Sequence, residues 1–93
     1  MEEFVEGLKE AFEKVLCEFT GDCYVCYAKR GNRWYVIGAS EGSIAYAKVA
    51  PYEDLPPIQN CEGLLAYPKG LFAFAKDQRE LAKKVIEKVE KLG

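Results

Sequence analysis

Apolar and polar positions recur along this chain with two different periods, and the changes of period divide it into segments. Between Glu2 and Phe19, the residues Phe4, Val5, Leu8, Ala11, Phe12, Val15, Leu16 and Phe19 return at intervals of three and four, the spacing of one helix face. Glu2, Glu3 and Glu6 stand in the first turns, where the positive end of the helix dipole favours anions, and Thr20-Gly21-Asp22 offers a glycine suited to the helix end. The spacing predicts an amphipathic helix over Glu2–Phe19.

The period then shortens. Cys23–Lys29, Arg33–Ala39 and Ser43–Val49 are rich in Tyr, Val, Ile and Ala and are joined by Arg30-Gly31-Asn32 and Ser40-Glu41-Gly42. Connections this short force antiparallel neighbours, so three strands of a meander are expected. Cys61–Tyr67 and Leu71–Ala75 flank Pro68-Lys69-Gly70 and predict two more strands around a tight turn. From Ala50 to Asn60 three prolines exclude a regular helix or a central strand, and the segment reads as a crossing loop. Asp77 and Glu80 are spaced as a capping box, after which Leu81, Ala82, Val85, Ile86, Val89 and Leu92 share one face of a helix to the end of the chain.

The expected fold is α+β: a five-stranded antiparallel sheet flanked by N- and C-terminal helices, in one domain over residues 1–93. This element order resembles the profilin-like, roadblock-like and PAS/GAF-like groups, although a roadblock-like chain has a helix where this one has its proline loop. The resemblance lies in element order alone and carries no functional residues.

Composition narrows the chemistry. The 93 residues contain no histidine, which excludes Ser-His and Cys-His catalytic pairs and any imidazole switch near neutral pH. A formal net charge of −2 gives no basic footprint for nucleic acid. Lys29, Arg30 and Arg33 do cluster at the first hairpin, but such charges commonly keep a hairpin tip soluble, so nucleic acid is not an expected partner. Glu53-Asp54 is an adjacent acid pair of a kind common on loops, and no metal, cofactor or catalytic residue is expected. No run of about 18 apolar residues is present and the opening Met1-Glu2-Glu3 is acidic, so the expected location is cytoplasmic, with no membrane. Abundant Glu and Lys with few Asn, Gln and Met match hyperthermophile usage, where intracellular disulfides occur.

The four cysteines, Cys17, Cys23, Cys26 and Cys61, are disulfide candidates. Cys23 and Cys26 fall three apart in a predicted strand, on opposite faces and roughly 10 Å apart, so they should not bond to each other or form half of a zinc site. Cys17 falls opposite the apolar arc of the predicted helix, and an exposed thiol there calls for a partner. The spacing leaves the connectivity open.

One Trp, six Tyr and five Phe exceed what one covered sheet face requires. Trp34 and Val36 alternate with Tyr35 and Ile37, making both faces of that strand apolar. If both long helices cover one face, an aromatic surface stays open on the other. Tyr24, Tyr27, Trp34, Tyr35, Tyr46 and Tyr52 are the candidate surface residues. The expected function is a non-enzymatic protein–protein interaction module, with a second copy as one partner. The alternative is a small-ligand sensor with its pocket between sheet and helices.

Overall fold

The computed structural model describes residues 1–21, 23–54, 61–66 and 69–92. The elements are α1 (Glu2–Lys9), β1 (Lys14–Phe19), β2 (Tyr24–Arg30), β3 (Arg33–Glu41), β4 (Ala45–Pro51), a short 3-10 turn (Tyr52–Asp54), α2 (Cys61–Ala66), β5 (Leu71–Ala75) and α3 (Gln78–Leu92). The five strands form one antiparallel sheet in the order β1-β2-β3-β4-β5. The fold class is therefore the expected one, α+β with helices at both ends of the chain.

Two segments differ from expectation, and their differences offset in the strand count. The first helix stops at Lys9, where Ala11 and Phe12 both donate to the Leu8 carbonyl, and Lys14–Phe19 turns into strand β1 against β2. The apolar positions of this stretch satisfy both periods: Val15, Cys17 and Phe19 also alternate with Lys14, Leu16 and Glu18. Pairing with β2 and the bond from Cys17 to Cys26 settle the competition for the strand. Conversely, Cys61–Ala66 is helix α2 and not the start of a strand, with Cys61 and Leu64 three apart on its buried side. Asp22, Leu55–Asn60 in the proline loop, Tyr67, and Pro68 of the turn before β5 lie outside the described residues.

Both long helices pack on the same sheet face. Phe4 and Leu8 of α1 and Leu81, Val85 and Val89 of α3 close over Ala28, Tyr35, Ile37, Ala47 and Val49. The small alanines of β4 and β5 let α3 lie close to the sheet. At Gly7 an added Cβ would stand 2.6 Å from the Ala82 Cβ, so the glycine permits the close crossing of α1 and α3. Asp77 Oδ1 accepts from the Glu80 amide at 2.9 Å and caps α3 as its spacing predicted. On the opposite face lies α2, whose Cys61 and Leu64 pack on Cys23, Val25 and Val36.

Candidate functional site

The register places four rows of side chains on the face opposite α1 and α3. Lys14, Lys29 and Trp34 form the first, Leu16, Tyr27, Val36 and Ala50 the second, Glu18, Val25, Gly38, Lys48 and Phe72 the third, and Ser40, Tyr46 and Phe74 the fourth. α2 covers the middle, because Gly38 has no side chain: a Cβ there would stand 2.7 Å from Leu64 Cδ2. Apolar surface stays open on either side of this strap.

On the β1–β2 side, Leu16, Tyr27, Trp34 and Tyr52 line a hollow of about 400 Å³. Leu16 and Tyr52 are 53% and 56% exposed. Tyr52 is held edge-on to Tyr27, ring centroids 6.1 Å apart. Its neighbour Glu53 accepts from Arg33 Nε at 3.0 Å and lies 2.8 Å from Arg33 Nη2, a pairing that raises the Arg33 pKa. Arg33 also donates to the Leu92 carbonyl, so the turn bearing Tyr52 is tied to both β3 and the end of α3. Beside the hollow, Lys14 and Lys29 stand directly opposite each other across β1 and β2. Among the described residues neither ammonium is paired with a carboxylate.

On the β4–β5 side, Phe72 and Phe74 are 42% and 52% exposed and stack at 6.1 Å, next to Tyr46 and the buried Lys48. The Lys48 ammonium lies 5.3 Å from the Phe72 ring, and desolvation lowers its pKa.

The candidate residues thus separate. Tyr27, Trp34, Tyr46 and Tyr52 belong to the open face. Tyr35 does not: it is buried on the helix side against Phe12 at 6.4 Å. Tyr24 also lies on the helix-side face, half-buried beside Phe19 at the end of the sheet, where α1 and β1 bound a groove of about 720 Å³. Sequence reasoning omitted Leu16, Phe72 and Phe74. Alternation within Leu71–Ala75 puts both phenylalanines opposite the alanines, a signal that could have found them; Leu16 was hidden by the helix assignment.

The cysteines pair as Cys17–Cys26 and Cys23–Cys61, with Cα separations of 4.0 and 5.7 Å. Cys17 reaches its partner from a strand, as the residue directly opposite Cys26. Cys23–Cys61 fastens α2 to the open face. Arg30 and Arg33 of the basic hairpin pair with Glu90 and Glu53. Among the described residues no group of three or more potential metal ligands occurs, and no helix is long and apolar enough to cross a membrane. The Asp54 side chain lies outside the described residues. No protein-family model matches this chain, and no match was found among curated proteins or solved structures.

Proposed function

We propose that this protein is a non-enzymatic interaction module that docks a protein segment on its open sheet face, with the hollow formed by Leu16, Tyr27, Trp34 and Tyr52 receiving an apolar side chain. The observation that carries the reading is the pairing of this hollow with the Lys14–Lys29 couple. Like charges directly opposite on a sheet destabilise the chain that holds them, and here the two ammoniums border exposed aromatic surface. Both features are offset by an occupant with an apolar anchor flanked by carboxylates.

The alternative is a small apolar ligand in the same hollow, whose volume falls within the usual range of ligand sites. The space between the sheet and the long helices, where a sensor pocket was expected, is filled by Phe4, Leu8, Ile37, Leu81 and Val85.

Protein captured from the source lysate by the wild-type chain should be lost with Trp34→Ala and with the pair Lys14→Glu, Lys29→Glu, and its binding should weaken with salt. Capture indifferent to these substitutions would remove the assignment. A rise in melting temperature with a small metabolite, abolished by Trp34→Ala, would favour the ligand reading instead.

A further inference from the structure

Among the described residues β5 is an outer strand of the sheet, and its composition is unusual for one. Leu71-Phe72-Ala73-Phe74-Ala75 contains no charge and no proline, whereas natural edges are commonly blunted by one or the other. Which backbone groups face outward follows from the register. The close Cα approach of Cys17 and Cys26 marks a non-hydrogen-bonded pair. Alternation carried through β2, β3 and β4 then makes Val49–Leu71, Ala47–Ala73 and Ala45–Ala75 the bonded pairs, leaving the N–H and C=O groups of Phe72 and Phe74 directed away from β4. The Lys84 ammonium donates to the Phe74 carbonyl at 2.8 Å, as that orientation requires.

We infer that β5 and α3 together form a self-complementary surface on which a second copy of this chain docks, β5 pairing antiparallel with the partner's β5 about a two-fold axis at Ala73. Phe72 and the partner's Phe74 then exchange two backbone hydrogen bonds, the symmetry repeats the exchange, and the two sheets become one of ten strands. The four phenylalanine rings meet on the open face. Beneath α3, the strand floor at the axis is alanine from both copies.

Three features of α3 fit this axis. The first is level. By the rises of strand and helix, Ala73 lies roughly 10 Å back from Lys76, and the midpoint of Val85 and Ile86 about 11 Å along α3 from Gln78, so one axis serves both elements. The second is spacing. α3 packs over both β4 and β5, which puts its axis about half a strand spacing inside β5; adding one strand spacing across the junction gives roughly 10 Å between the two helices, a normal packing distance.

The third is charge. Glu80, Lys84, Glu87 and Lys91 fall within about 60° of one another on α3, and Lys84 fixes that arc at the β5 edge, while Arg79 and Ile86 face α1. Antiparallel helices centred between residues 85 and 86 bring Glu80 opposite the partner's Lys91 and Lys84 opposite the partner's Glu87. Both direct pairings in this row are of opposite sign. Lys84, which within one chain also lies 3.3 Å from Glu80 Oε1, exchanges the Phe74 carbonyl, then occupied by the partner strand, for a second carboxylate, the partner's Glu87. The surface is separate from the Trp34 hollow, so either assignment can fail alone.

Sedimentation equilibrium of the full chain tests this. Wild type should sediment at twice the 10.5 kDa chain mass. Lys84→Glu and Glu87→Lys should each raise the dimer dissociation constant by about tenfold or more, since each creates two symmetry-related like-charge contacts. The double variant K84E/E87K, which restores opposite signs, should recover wild-type affinity, and Trp34→Ala should leave it unchanged. A wild-type monomer, or a dimer indifferent to the single substitutions, would overturn the inference.

Discussion

At position 38 the chain carries a glycine because α2 passes directly over β3. Gly38→Ala would drive a methyl group to 2.7 Å from Leu64 Cδ2, so the buried Leu64 side chain beneath α2 must give way. Overpacking of this kind costs about 1–3 kcal/mol. A fall in the denaturation midpoint of that size, with no change in the packing of Tyr35 on the other face, is the expected outcome; wild-type stability would show that α2 does not bear on Gly38. Some residue-scale features were legible in the sequence and others were not. That Cys23 and Cys26 would not bond to each other followed from strand alternation alone, and so did the opposite directions of Trp34 and Tyr35. The placement of Tyr35 in the core did not, because it depends on which face the long helices choose.

At the scale of elements, the sequence specified α3 most clearly, through its Asp77 cap and an apolar stripe sustained over four turns. The errors fell where short apolar runs satisfy more than one period. Val15, Leu16 and Phe19 read as a continuation of α1 by spacing, yet Val15, Cys17 and Phe19 also alternate with Lys14, Leu16 and Glu18, and the deciding interactions come from β2 and Cys26, which lie further along the chain. Cys61–Ala66 was open to the opposite error, since six residues are too few to display a helical stripe.

The disulfides act on these same elements. Cys17–Cys26 closes a separation of nine residues and Cys23–Cys61 one of 38. Loop entropy assigns them about 2.5 and about 4 kcal/mol. Replacing Cys23 and Cys61 by Ala should therefore destabilise the oxidised protein more than replacing Cys17 and Cys26, and should free α2 from the sheet. Peptide mapping under non-reducing conditions should recover the two pairs; four thiols open to alkylation in the native protein would contradict the pairing.

For the whole molecule, the consequence of the fold is asymmetry. α1 and α3 share one face, their apolar stripes bury one another and half of the sheet, and Tyr27, Trp34, Tyr46, Phe72 and Phe74 fall to a face that a six-residue helix only partly covers. The excess of aromatics was legible from composition, whereas its location was not, because periodicity places residues on faces without saying which face a helix will cover. On the function proposed above, this open face is where the protein meets its partner. Hydroxyl-radical footprinting of the free and partner-bound protein tests it most directly, since Trp34 and Tyr35 are chain neighbours on opposite faces. The expected result is labelling of Trp34 and Tyr52 in the free protein, protection of Tyr35, Phe4 and Phe12 throughout, and loss of the Trp34 and Tyr52 labels on binding. Labelling of Trp34 unchanged by the partner, with protection appearing instead on the outer faces of α1 and α3, would contradict it.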